Sequence, residues 1–254
     1  MRNQRVDKLS EAIVADIYRA IKDVTGCHHP KPERRFHKHD KYLSYGLKTA
    51  DFWKIMKAFR PRFLELVLKE RLKLAAELLG EHIGELGHAG IHVLALSVEQ
   101  LLPCHFTILD SAADDFASWS HVDHLCSDVI QPLLCSFRGE TLSLLDDWNH
   151  SPNPLKRRAS VVAFTRKVAE SGQFTQEVLC LSDNLIWDKD DIVRKAVGWA
   201  LKDNLRSAPQ RVLSYIKDLR RRGVSSTVIL YAIRDLTPAQ RKTVLSVRNR
   251  SKQR

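Results

Sequence analysis

Asn153-Pro154-Leu155-Lys156-Arg157-Arg158-Ala159-Ser160-Val161-Val162 reads as the opening of a helix. An asparagine able to accept a backbone N–H precedes a proline whose fixed φ suits the first helical position, and apolar residues follow at helical spacing. Thr237-Pro238 repeats the device. Outward from this stretch the helical period persists. Val193–Leu205, Val212–Leu219 and Val228–Ile233 follow it, and Val161–Ala169 continues it. Upstream, Leu9, Ala12, Ile13, Ile17 and Ile21 recur at three and four. So do Phe63, Leu64, Val67, Leu68, Leu72, Ala75 and Leu79, and then Val122, Leu125, Cys126, Val129, Ile130 and Leu133. Period-two segments are scarce. Pro61, Gly80, Pro103, Gly139, Gly172, Pro209, Gly223 and Pro238 punctuate the chain where paired helices would turn. The pattern predicts an all-α fold of stacked antiparallel helix pairs, at least five of them, without a sheet. From about residue 140 the pairs recur at roughly 35–45 residues, the range of HEAT-like repeats. A curved superhelix and a compact bundle both fit that spacing. His28–Lys41, with Pro30 and Pro32, reads as a basic loop. One helical domain is expected over residues 1–247, followed by a basic tail, 248–254.

Composition narrows the partners. The 254 residues include 41 Lys and Arg against 30 Asp and Glu, a net charge of +11. The excess is uneven: residues 1–88 carry +6, residues 89–153 carry −8 with Arg138 as their one Lys or Arg, and residues 154–254 carry +13. Basic regions flanking an acidic one suit a protein that grips a polyanion while keeping carboxylates near it. No apolar run approaches the roughly 18–20 residues of a membrane helix, and the N-terminus lacks the apolar core of a secretory peptide. Five cysteines without a Cys-x-x-Cys pair favour reduced thiols, hence a cytoplasmic protein, or a nuclear one in a eukaryote.

Several chemistries find no support. His121, His124 and Cys126 cannot converge on a metal from one helix, and Cys27-His28-His29 and Cys104-His105 lack ligand spacing. There is no glycine-rich phosphate loop and no Gly-x-Ser-x-Gly elbow. Three polar or aromatic features stand out instead. Trp199 lies far round its helix from Val193, Val197, Ala200 and Leu201, between Lys195 and Lys202, where it could stack on a sugar or base or pack on the next helix pair. Trp119 and Asp123, at i and i+4, share the shoulder of an apolar stripe. Asp123 there either pairs with an arginine or serves a bond cleavage at a sugar carbon. Arg158 falls within an apolar sector, whereas Lys156 and Lys167 take the polar side; an inward guanidinium needs a carboxylate or a bound phosphate.

Trp119-Ser120-His121-Val122-Asp123, then Asn153-Pro154 with Arg157-Arg158-Ala159, then Val193-Arg194-Lys195-Ala196-Val197-Gly198-Trp199 resemble, in order, the AlkD-type alkylpurine DNA glycosylases. Tyr45-Gly46-Leu47-Lys48-Thr49 resembles a short stretch that opens a helix early in that family. The resemblance spans about residues 36–235 and implies HEAT-like helix pairs curved around a basic, DNA-binding concave face. It implies a monomer that needs no cofactor or metal and acts on duplex DNA carrying cationic N3- and N7-alkylated purines. Asp123 would be the catalytic carboxylate and Trp119 and Trp199 the walls beside the lesion, without flipping of the base into a deep pocket. Arg158 would hold the adjoining phosphate, with Arg157, Lys195, Lys202 and Lys48 as further DNA contacts. The family's tyrosine near its second helix pair has no direct counterpart; Phe36, His37 and Tyr42 are the candidates. The rival reading is a helical-repeat module that binds nucleic acid without cutting it. No lysine stands beside Asp123 to form a lyase's Schiff base.

Overall fold

Helices dominate because apolar residues recur on one or two faces of nearly every segment and caps or extended residues separate them. The computed structural model describes residues 2–33 and 42–248. The chain forms two compact units, Met1–Phe137 and Arg138–Arg254, where the sequence pattern suggested one domain.

The first unit comprises α1 (Arg2–Thr25), α2 (Thr49–Glu65), α3 (Leu68–Gly80), α4 (Gly84–Ala95), α5 (Phe106–Asp114), α6 (Trp119–Leu125) and α7 (Gln131–Ser136). Its most extensive packing is α3 on α4, and α4 in turn packs on α6. Two departures from the sequence reading concern α2. It runs through Pro61 to Glu65 instead of turning there. The stripe from Phe63 to Leu79 is not continuous either: Leu66 and Val67 are extended, Val67 is exposed, and Glu70 accepts the Val67 N–H to start α3. A strong cap thus overrides the period. The stretch read as a loop contributes β1 (Lys31–Pro32), which pairs antiparallel with β2 (Leu43–Ser44) just beyond it, a two-stranded ladder where no sheet was expected.

Between α6 and α7 lies a π turn, Cys126–Ile130. Its cause is visible in the buried residues. His121 with Val122, Leu125 with Cys126, Val129 with Ile130 and Leu133 with Leu134 recur every four residues. At 100° per residue a four-residue repeat drifts about 40° each time on an α-helix. A wider i→i+5 turn takes up that drift and keeps all four pairs facing inward.

The second unit comprises α8 (Arg138–Asn149), α9 (Pro154–Val162), α10 (Arg166–Ser171), α11 (Thr175–Leu185), α12 (Asp191–Asn204), α13 (Pro209–Arg222), α14 (Ser226–Ala232) and α15 (Pro238–Leu245). Asn153 and Thr237 cap α9 and α15 as expected, each side chain accepting a backbone N–H. Gly139 lies inside the first turn of α8, not between helices. Val161–Ala169 is broken by a turn at residues 163–165. α12 is the hub, packed on α9, α10, α11, α13 and α14. It approaches α14 so closely that a Cβ on Gly198 would lie 2.6 Å from the Tyr231 Cβ. No helix of the described residues is long and apolar enough to cross a membrane.

Candidate active site

In the first unit the start of α6 is fixed by Ser118, which is buried and whose hydroxyl accepts the Ser120 N–H at 3.2 Å. Trp119 therefore occupies the first helical position and Asp123 the next turn, on one face and both half-buried. The helix is pinned from behind by His121. Its Nδ1 accepts the Ala117 N–H, so Nε2 carries the proton and donates to the Gly84 carbonyl at 2.9 Å. Two glycines of α4 permit this docking: a methyl on Gly84 would collide with the Tyr42 hydroxyl, and one on Gly87 with the His121 ring. Burial, then the charge of Glu85, raises the Tyr42 pKa, so the phenol keeps its proton. Tyr42 is the described one of the three tyrosine-contact candidates; Phe36 and His37 lie outside the described residues. Lys48 is exposed just before α2.

One step round α6, Ser120 and His124 meet His88 of α4. Ser120 Oγ lies 3.3 Å from His88 Nε2, and His88 Nδ1 lies 3.1 Å from His124 Nδ1. Two ring nitrogens at that distance share a single proton. Trp53, 42% exposed, stands edge-on to Phe52, His92 and His124. Burial lowers the His92 pKa first, and the neighbouring His124 adds to it.

In the second unit Trp199 is half-buried. The Arg166 guanidinium lies 5.5 Å from its ring centroid, within cation–π range. Arg166 has φ +55°, a costly conformation for a non-glycine residue, and its N–H donates to Asp203 Oδ2 at 2.8 Å. Lys195 is exposed and pairs with Asp191 at 2.7 Å. Lys202 does not flank Trp199 on an open face. It is buried, with Nζ 2.8 Å from Asp203 and 3.1 Å from Asp235. Because α12 is covered on several sides, the face opposite one core stripe is itself interior. Lys156, assigned to the polar side of α9, is likewise buried.

The two arginines of α9 differ. Arg158 is buried as expected, and its Nη1 donates to the Ile192 carbonyl at 2.8 Å. Arg157 grips Asp188 with two nitrogens, at 2.6 and 3.2 Å, and reaches Asp190 at 2.8 Å and the carbonyls of Ser151 and Pro152. The Asp188 hydrogen bond is the main cause of its raised pKa. Its guanidinium ties the α9 entry to the loop before α12, a bidentate geometry that fixes position as well as charge.

Arg166, Glu85, His88 and Trp53 were not singled out by the sequence. The i, i+4 spacing of Ser120 and His124 could have indicated a shared face, but nothing local reveals that His88 lies opposite.

The chain matches the family model described as DNA alkylation repair enzyme over residues 28–236. Among solved structures, it is similar to a predicted DNA alkylation repair enzyme from Enterococcus faecalis: 13% identity, TM-score 0.71, with 81% of this chain and 93% of that chain covered. A second is the Pseudomonas fluorescens alkylpurine DNA glycosylase AlkC bound to DNA containing an abasic site analog, at 16% identity and a TM-score of 0.46, covering 93% of this chain and 68% of that one. Among curated proteins none matches this sequence. With 28–236 accounted for, the chain belongs to the DNA alkylation repair enzyme family.

Proposed function

We propose that this protein is a monofunctional alkylpurine DNA glycosylase that hydrolyses the N-glycosidic bond of cationic N3-alkyladenine and N7-alkylguanine lesions in duplex DNA. The observation that carries this reading is the Trp119–Asp123 pair: an indole and a carboxylate, half-buried on the first turns of a helix set by Ser118, in a chain of this family. The alkylated purine is already positively charged and leaves as a neutral base, so no general acid has to protonate it. As the bond breaks, positive charge develops on the sugar, and a carboxylate beside it lowers the barrier electrostatically. Water then adds its oxygen to the anomeric carbon and loses one proton to solvent.

Trp119 and Trp199 serve as walls beside the lesion nucleotide. Arg158, held by the Ile192 carbonyl, contributes a fixed guanidinium toward the adjoining phosphate. Lys195 and Lys48 supply exposed charge for further backbone contacts. Arg157 acts through its ties to Asp188 and Asp190, and Lys202, buried between Asp203 and Asp235, supports α12. Bond cleavage driven from the sugar and backbone side requires no enclosed base pocket.

The test is release of 7-methylguanine from methylated duplex DNA, wild type against Asp123→Asn, with thermal melting measured in parallel. Loss of release in a folded variant supports the assignment. Normal release would refute it, and a wild type that binds DNA without releasing any alkylated base would make the protein a passive binder.

A further inference from the structure

The second unit arranges its helices in two rows. α9, α12 and α14 pack side by side in one, and Arg158 and Trp199 belong to it. α8, α11 and α13 form the other, where Asp183 of α11 accepts from Tyr215 and Arg222 of α13 at 3.0 and 2.6 Å. α15 packs on α13 and so extends this second row at its end.

The rows treat their cations differently. On α12, Arg194 and Lys195 pair with Asp191, and Lys202 pairs with Asp203 and Asp235. At the end of the other row, Lys217 and Arg221 of α13, Arg241 and Lys242 of α15, and Arg248 after it reach no carboxylate among the described residues. The chain beyond them offers none either: residues 249–254 hold three further Lys and Arg and no Asp or Glu. Residues 237–254 together carry six Lys and Arg without an acid, more than half of the net +11. They begin where the family match ends, at 236.

Helix phase leaves these charges open. Lys217 and Arg221, at i and i+4, share a face of α13 that is partly exposed and lies away from Tyr215, Arg222 and α11. On α15 one stripe, Pro238, Arg241, Lys242, Leu245 and Ser246, lines an open groove of about 610 Å³. Cations crowded without counter-charges repel one another, and a polyanion relieves that repulsion while releasing its own counterions. Residues 237–254 include no Phe, Trp or Tyr to stack on unpaired bases. Leu245 is the one exposed large apolar side chain of α13 and α15, too little to anchor in a bilayer. The surface therefore suits evenly spaced phosphates with their bases turned inward, as a duplex presents them.

We infer that α13 and α15 form a second DNA surface, which grips the backbone of an undamaged duplex segment and is separate from the row that carries Trp199. That the ligand is a polyanion rests on this surface alone; that it is DNA rests on the glycosylase reading. A chain holding two segments can pass from one to the other without release, a means of searching for lesions.

The test is the binding stoichiometry of the whole protein with a short unmodified duplex at low salt, read by native mass spectrometry and titration. Wild type should bind two duplexes per chain. A fourfold variant, Lys217→Gln, Arg221→Gln, Arg241→Gln and Lys242→Gln, should bind one, with a salt slope for the lost site that accounts for roughly four phosphates. Its release of 7-methylguanine at saturating protein should be unchanged. Arg241→Gln with Lys242→Gln, confined to α15, should weaken the second duplex several-fold and keeps the test readable if the fourfold variant fails to fold. Equal stoichiometry and equal salt dependence for wild type and the variants would overturn the inference. One duplex on wild type and none on the fourfold variant would uphold this surface and count against the glycosylase site. Tighter binding of a phosphatidylserine vesicle or an RNA hairpin than of the duplex, lost in the same variants, would overturn the choice of DNA.

Discussion

Two helices of this protein carry a tryptophan and an aspartate four residues apart, and they bury the aspartate to different depths. In α6, Trp119 and Asp123 are both half-buried. In α12, Trp199 and Asp203 have the same spacing, but Asp203 is fully interior. Its Oδ1 faces Lys202 at 2.8 Å, and its Oδ2 holds the N–H of Arg166, whose guanidinium covers Trp199. The α12 carboxylate is thus committed to holding a left-handed residue and a buried lysine, whereas the α6 carboxylate keeps part of its surface exposed. Spacing on a helix sets which side chains are neighbours; the elements packed around that helix set whether they are structure or site.

Charge removal at each aspartate separates the two roles. The largest effect is expected at Asp203→Asn, which leaves a buried lysine with only Asp235. It should cost about 3 kcal/mol of stability, the low end for breaking a buried pair, read by chemical denaturation. A loss below about 1 kcal/mol would mean that the two carboxylates are not distinguished by burial. Asp123→Asn should act on activity: excision falls roughly 100-fold or more, equivalent to about 2.7 kcal/mol of barrier, in protein that melting shows to be folded. Trp199→Ala should come next. Losing a half-buried indole and its Arg166 contact should cost about 1–2 kcal/mol, short of the ~3–5 kcal/mol of a fully buried indole, while excision drops by a larger factor. A melting shift of the larger size, with excision intact, would make Trp199 a packing residue only.

The smallest expected effect is a pH dependence. Asp235 has its pKa lowered from 3.8, chiefly by the hydrogen bond from Lys202. A depressed folded-state pKa contributes stability that is present above the unfolded value and is lost as pH falls through the folded one. Melting of the protein should therefore decline below pH 3.8, and Asp235→Asn should flatten that decline. Because Asp235 is half-exposed the contribution is under about 1 kcal/mol. Identical pH profiles for the two proteins would show that the Lys202–Asp235 contact has no energetic weight.

The helices and most of their core faces were legible in the sequence because apolar period and N-caps are local signals: Asn153 and Thr237 cap where they should, and Cys126 and Arg158 are buried as their angles require. Pro61 misled because α2 already makes its turn-ending choice at Leu66, where the backbone becomes extended. The errors at Lys156 and Lys202 share one origin. A helical wheel divides a helix into an inside and an outside, and α9, packed on α8, α11 and α12, and α12, packed on five neighbours, have little outside. The acids that compensate Lys202 and Arg157 lie 31–33 residues away or on the adjoining residue, at Asp235, Asp188, Asp190 and Asp203, and only tertiary structure brings the distant ones in. For the same reason Glu85 and His88 gave no sign of their surroundings. Their chemistry depends on β2 and α6 meeting α4.

The π turn after α6 makes this part of the chain tolerant of a particular kind of genetic change. Loss of one codon between Cys126 and Ile130 would allow ordinary α-helical hydrogen bonding to resume, a locally favourable outcome. At about 100° per residue the shortened path from Leu125 to Leu133 turns about 700°, within roughly 20° of two full turns, so Leu133 and Leu134 still face the core. The same deletion in an uninterrupted α-helix would swing every later residue of that helix by about 100°. The turn stores one residue that the helix can lose without losing its face.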